Sequence, residues 1–193
     1  RPLERTVEAA LEAGFTAVQL REKDLPARDL CDLALRLRAI ADRWGALLIV
    51  NDRVDVALAC GADGAQLGWK SLSLAEARAA ARGRLRFGVT AHNAGELGQA
   101  IDAKADWVLF GPVFPTPSKA GLVEPAGLEA LSRAARRCPA PLLALGGIDE
   151  SNARQVLEAG AAGLALIRAV CAAAEPLDAA RRLIAAASAE PPN

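Results

Sequence analysis

Residues 46–67 read ALLIVNDRVDVALACGADGAQL, and this stretch decides the fold. Ala46 to Val50 is a continuous apolar run of strand length. Asn51-Asp52-Arg53 breaks it, Val54 to Cys60 spaces its apolar residues for a helix, and Gly64 to Leu67 is strand-like again. A strand, a short helix and a second strand in succession form a βαβ unit, whose two strands pair in parallel.

The same unit recurs outward in both directions. Upstream, Leu3, Val7, Ala10 and Leu11 are spaced for a helix that Gly14 ends, and Phe15 to Leu20 is strand-like. Leu30, Leu33, Ala34, Leu37, Ile40 and Ala41 then mark one helix face, stopped by Gly45. Downstream, helices are expected over Leu74 to Ala81, Ala94 to Ala103, Gly127 to Cys138 and Glu150 to Ala159. Strands are expected over Arg86 to Thr90, Trp107 to Phe110, Pro141 to Leu145 and Gly163 to Ile167, and one last helix from about Ala169 to Ala187. The pattern predicts seven strands alternating with eight helices. Most strands are apolar on both faces, as in a parallel sheet covered on both sides.

Two architectures fit such alternation. A doubly wound sheet announces itself by a GxGxxG turn after its first strand, and none is present. A barrel needs eight strands. The missing one belongs before Leu3, and the chain begins at Arg1 and contains no Met, so the expectation is a first strand encoded upstream. The predicted fold is therefore α/β, a (β/α)8 TIM barrel lacking its first strand, in a single domain spanning residues 1–193.

Composition bounds the function. The 193 residues suffice for one domain with a sizeable core, 52% are hydrophobic, and the formal net charge is zero. With no basic stripe, nucleic acid is not an expected partner. No apolar run approaches about 20 residues, so no membrane span is expected either. Cys31, Cys60, Cys138 and Cys171 show no metal-binding spacing and read as buried or half-buried free thiols of a cytoplasmic protein. No signal peptide is visible.

In a barrel, chemistry sits on the loops that follow the strands. Here those loops carry Arg21 to Asp24; Asn51 to Arg53; Gly68 to Ser71; Thr90 to Asn93; Gly111 to Gly121; Gly146-Gly147-Ile148; and Arg168. This rim is cationic and rich in glycine and hydroxyls on a chain of zero net charge. Arg21, Lys23 and Lys119 can neutralise phosphate oxygens, and Thr116 and Ser118 can donate to them. Asp52 can hold a Mg²⁺ that bridges a diphosphate, or Asn51-Asp52 can cap a helix. Gly146-Gly147 reads either as a plain tight turn or as a phosphate loop. His92, the single histidine, reads as a general acid or base or as a loop hydrogen-bonder.

Five stretches carry a family resemblance: Val18-Gln19-Leu20-Arg21-Glu22-Lys23-Asp24, Leu48 to Arg53, Gly61-Ala62-Asp63-Gly64 through Leu67-Gly68, Gly111 to Lys119, and Ala144 to Ile148. In order and spacing they resemble the thiamine phosphate synthase family, which also holds the thiazole tautomerases. The resemblance implies thiamine biosynthesis: hydroxymethylpyrimidine diphosphate is joined to thiazole phosphate, diphosphate leaves, and Mg²⁺ assists. It implies catalytic roles for Arg21, Lys23 and Lys119 at the diphosphate, with Asn51 and Thr90 beside them. Asp52 would ligate the metal and Gln19 would touch the pyrimidine. Thr116, Ser118 and Gly147, helped by the backbone at Ile167, would serve the thiazole phosphate; Arg168, after the last strand, can contact phosphate directly or pair with an acid. The partners implied are these two small phosphorylated substrates, with a homo-oligomer or an upstream fused domain left open.

The chain departs from the family at two places. The family segment His-Leu-Gly-Gln-x-Asp reads Gln66-Leu67-Gly68-Trp69-Lys70-Ser71 here, so Ser71 replaces a second metal-ligand Asp, and Trp69 is large for a position facing substrate. Arg168 replaces a small hydroxyl residue. Gly68-Trp69-Lys70-Ser71 with Leu72-Ser73, and Ala174-Glu175-Pro176-Leu177, resemble the tautomerase branch, whereas Pro112 stands where a tautomerase carries its His. A tautomerase-like isomerase and a non-catalytic domain that binds a phosphorylated ligand are the alternative readings.

Overall fold

The computed structural model describes residues 3–117 and 123–188. Seven strands occur there: β1 Ala17–Leu20, β2 Leu47–Asn51, β3 Gly64–Leu67, β4 Arg86–Ala91, β5 Trp107–Phe110, β6 Leu142–Leu145 and β7 Gly163–Ala165. The helices are α1 Leu3–Glu12, α2 Ala27–Trp44, α3 Val54–Ala59, α4 Leu74–Ala81, α5 Ala94–Asp102, α6 Gly127–Arg137, α7 Ala153–Glu158, α8 Arg168–Cys171 and α9 Pro176–Ser188. The strands follow one another in the sheet in sequence order. Pairing is parallel between β1 and β2, β2 and β3, β5 and β6, and β6 and β7.

The chain forms two compact units that divide inside β4, Arg1–Gly88 and Val89–Asn193. In the first, the six apolar residues predicted for one face of α2 are all buried. Leu48 and Val50 point into the core at 0% exposure, and all four residues of β3 are buried. In the second, Val108 and Phe110 of β5 pack in a core that also takes Leu97 of α5, Leu131 of α6, Val156 of α7 and Ala180 of α9. Asn93 starts α5 as an N-cap, accepting from the Gly95 and Glu96 N–H groups.

Three boundaries differ from the sequence pattern. The single closing helix is two helices, because Pro176 lacks an N–H and suits the first position of a new helix better than the interior of an old one. Among the described residues this makes nine helices rather than eight. Next, α7 starts at Ala153 rather than Glu150. The Asp149 carboxylate accepts the Ser151 N–H and hydroxyl, and the Asn152 side chain accepts the Asp149 N–H, so residues 149–152 form a side-chain-held turn. Finally, β7 stops at Ala165, and Ile167 lies 63% exposed ahead of α8. All four cysteines are free as expected, but Cys171 is exposed.

Asp63 organises the N-terminal end of the strands in the first unit. Its N–H donates to the Leu48 carbonyl, and its Oδ2 accepts the Leu48 N–H at 2.8 Å and Arg38 Nη1 at 2.6 Å. Its carbonyl accepts the Arg86 N–H at the start of β4. Arg38 is itself held by Asp42 and by the Ala46 carbonyl. Burial raises the Asp63 carboxyl, but the Leu48 N–H and the Arg38 guanidinium outweigh it, and the group sits below its ordinary range. A carboxylate held low in the folded state stabilises it above about pH 4, and that contribution fades as the pH falls through the folded value. Asp63→Asn is therefore expected to cost about 1–3 kcal/mol at pH 7, with the gap to wild type narrowing toward pH 3 in urea midpoints. A gap that stays constant with pH would contradict this role.

Candidate active site

Parallel strands deliver the loops after β1, β2 and β3 to one end of the first unit. Gln19, on β1, is exposed and pairs in register with Ile49. Arg21, Lys23 and Asp24 follow, all exposed. On β2, half-buried Asn51 is in register with Gln66 of β3. Asp52 then turns the chain in the left-handed region at φ 66°, its N–H donating to the Gln66 carbonyl at 2.8 Å. An L-residue other than Asn, Asp or Gly rarely tolerates this conformation, so the position selects a short polar side chain on backbone grounds alone. Arg53 belongs elsewhere, since two hydrogen bonds of 2.9 and 2.6 Å tie it to Asp55. These hold the Asp55 carboxyl below and the Arg53 guanidinium above their ordinary values.

The loop after β3 is a closed turn. The Ser71 N–H donates to the Gly68 carbonyl at 3.0 Å, and the Ser71 hydroxyl accepts the Gly68 N–H at 2.8 Å. Trp69 and Lys70 occupy its tip, the Lys70 ammonium lying 4.7 Å from the centroid of the Trp69 ring. Gln66, just before the turn, is 2% exposed, a buried polar residue in an otherwise apolar strand.

Among the described residues no group of three or more His, Cys, Asp or Glu side chains could hold a metal. Mg²⁺ commonly binds through one or two carboxylates together with substrate phosphates and water. Asp52 fits that pattern as a single ligand, for an ion that arrives with a diphosphate. Ser71 contributes no carboxylate, and its oxygen already accepts a backbone N–H.

The second unit builds its loops differently. Thr90 is half-buried on β4. His92 follows, and Glu96 Oε2 accepts its backbone N–H at 2.7 Å and lies 2.8 Å from its Nδ1. Burial raises Glu96, yet these bonds hold it below the ordinary carboxylate value. The backbone N–H and Nδ1 of His92 are thus both tied to Glu96.

The loops after β5 and β6 interlock. The Val113 N–H donates to the Leu145 carbonyl and the Phe114 N–H to the Gly146 carbonyl, at 2.9 and 3.0 Å. A Cβ on Gly111 would lie 2.1 Å from the Leu145 oxygen. On Gly146 it would lie 2.5 Å from Pro112 Cβ, and on Gly147, at φ 67°, 2.6 Å from Phe114 Cβ. The two glycines after β6 are therefore demanded by the neighbouring loop's backbone, and the Asn152 side chain further fixes the Gly147 carbonyl. Thr116 is half-buried at the end of this arrangement, and Ile167 and Arg168 are exposed beyond β7. Ser118 and Lys119 lie outside the described residues.

Sequentially ordered parallel strands, helices between them and polar loops at the strand ends define a (β/α) fold of the TIM-barrel type. The sequence pattern of thiamine monophosphate synthase matches residues 1–170, and the chain belongs to that family. A putative thiamine-phosphate synthase of Geobacter sulfurreducens is 48% identical, over 96% of this chain and 87% of its own length. The thiamine-phosphate synthase of Gloeobacter violaceus is 50% identical over 88% of this chain, which spans only 50% of that protein. The thiamine phosphate pyrophosphorylase structure from Pyrococcus furiosus superposes with a TM-score of 0.91 at 36% identity, over 97% of this chain and 90% of that one.

The interlock makes a direct prediction. Gly147→Ala adds a methyl where only backbone fits and forces a left-handed residue, so it is expected to destabilise by about 2–4 kcal/mol. Chemical denaturation of the purified variant reads this. A loss below about 0.5 kcal/mol would show that the loops are not locked together.

Proposed function

We propose that this chain makes thiamine phosphate from hydroxymethylpyrimidine diphosphate and thiazole phosphate, releasing diphosphate. The family match across residues 1–170 carries this reading. The bond between the pyrimidine methylene and the diphosphate oxygen breaks with its electron pair on diphosphate. The thiazole nitrogen then gives its lone pair to the methylene carbon. No proton transfer to a protein nucleophile is needed, so the protein's work is to orient two rings and stabilise separating charge.

In this reading Arg21, Lys23 and Lys119 neutralise the departing diphosphate, and Asn51 and Thr90 donate to its oxygens. Gln19 addresses the pyrimidine edge. Thr116, Ser118, the Gly147 and Ile167 backbone and Arg168 hold the thiazole phosphate. Asp52 is the protein ligand for Mg²⁺, which supplies charge neutralisation at the diphosphate when bound. The polar character of the rim supports these roles: among the described residues Arg21 and Lys23 have no ion-pair partner, whereas Arg53 is already taken by Asp55.

The test is to mix both precursors, Mg²⁺ and protein, and follow thiamine phosphate by mass spectrometry. One thiamine phosphate per diphosphate released is expected. Binding of both precursors without product would overturn the reading, and isomerisation of a thiazole precursor alone would favour a tautomerase. Asp52→Asn retains a residue tolerant of positive φ. It should leave the melting temperature within about 2 °C, lower turnover roughly 100-fold and raise the Mg²⁺ concentration needed for half-maximal rate. Unchanged turnover would remove Asp52 from the metal site.

A further inference from the structure

We propose that Trp69 and Lys70 form a clip that takes the aromatic diphosphate substrate, the indole stacking on the pyrimidine ring and the ammonium pairing with its phosphates. The inference rests on the synthase reading for the identity of the substrate. It is carried by four observations on the first unit.

Trp69 is 83% exposed, more than any other large hydrophobic side chain among the described residues. An indole left in water is poorly placed for stability but well placed for contact with a flat ligand. It is also held in place. The Gly68–Ser71 turn is closed by a backbone bond of 3.0 Å and a side-chain bond of 2.8 Å, so the ring is presented on a pre-formed tip. Ser71 thereby gains a definite task, shaping the turn, at a position that lacks a carboxylate.

The third observation is the cation. Lys70 Nζ lies over the Trp69 ring, 4.7 Å from its centroid, so the ammonium backs one indole face and leaves the opposite face to stack on a flat ligand. That pair complements a ligand that is both flat and anionic. The fourth is location. The turn follows β3, next in the sheet to β2, whose Asn51 is in register with Gln66 and whose Asp52 follows directly. Arg21 and Lys23 leave β1 at the same end. The cations of this unit suit the substrate with more negative charge, which is the diphosphate and not the thiazole monophosphate.

Stacking of a base on an aromatic side chain changes affinity by roughly 5- to 150-fold. Calorimetric titrations test the clip with three ligands, hydroxymethylpyrimidine diphosphate, inorganic diphosphate and thiazole phosphate, each on wild type, Trp69→Ala and Lys70→Gln. The pyrimidine diphosphate should bind wild type more tightly than inorganic diphosphate does. Trp69→Ala should weaken the pyrimidine diphosphate at least tenfold while leaving inorganic diphosphate within twofold. Lys70→Gln should weaken both diphosphates, and thiazole phosphate should respond to neither substitution. In turnover, Trp69→Ala should raise KM for the pyrimidine substrate with kcat within about threefold. Unchanged binding in Trp69→Ala, or a change in oligomer mass without a change in KM, would overturn the clip while leaving the synthase reading intact. Binding as described with no thiamine phosphate from wild type would overturn the synthase reading and leave the clip. Since Trp69 is solvent-exposed, both variants are expected to fold, and circular dichroism checks it.

Discussion

Parallel strand pairing governs this protein. A strand that must lie parallel to its predecessor cannot be reached by a hairpin, so the chain returns through a helix each time. Each strand of a unit therefore ends at the same rim, and whatever follows a strand joins that rim. In the first unit this gathers Arg21, Lys23, Asn51, Asp52 and the Trp69–Lys70 turn from three separate segments. The opposite end of the same strands carries Asp63 and Arg38, whose bonds tie β2, β3, β4 and α2 together. The Asp63–Arg38 network and the proposed site thus occupy opposite ends of the same short strands.

The two units shape their loops by different means. In the first, side chains and turns do it: Asp52 accepts a left-handed backbone, and Ser71 closes its turn with a hydroxyl. In the second, backbone meets backbone. Gly111, Gly146 and Gly147 leave no space for a Cβ, and the loops after β5 and β6 continue to hydrogen-bond beyond the strands. Such close approach fixes the loop chiefly through backbone, with the Asn152 side chain donating to the Gly147 carbonyl.

Much of this was legible in the sequence, because burial writes a period into it. The α2 stripe from Leu30 to Ala41 and the apolar runs of β2 and β5 follow directly from which faces are covered. Boundaries set by side-chain hydrogen bonds were not legible in that way. Asp149, Ser151 and Asn152 hold a turn where helical spacing continues, and Pro176 starts a helix inside an apolar stretch that reads as one. The candidate site residues read from the sequence as positions at or just after strand ends, but their surroundings do not. Gly146-Gly147 reads as a turn or a phosphate loop, whereas the demand for glycine comes from Pro112 and Phe114, more than thirty positions earlier in the chain. Gln66 is legible as part of the Gln66–Ser71 segment, but its burial depends on neighbours that the sequence does not display.

The central claim is that the loops at the strand ends, and not the helices or the opposite end, receive the phosphorylated substrates. Amide chemical-shift mapping of the labelled protein with Mg²⁺ and hydroxymethylpyrimidine diphosphate tests it most directly. The account predicts shifts concentrated in Arg21 to Asp24, Asn51 to Arg53 and Gly68 to Ser71, and at Thr90 and Lys119, with residues around Asp63 and Arg38 unmoved. Shifts centred instead on the shallow apolar hollow of Ile101, Ala105, Cys138 and Pro139, at the far end of β5, would contradict it.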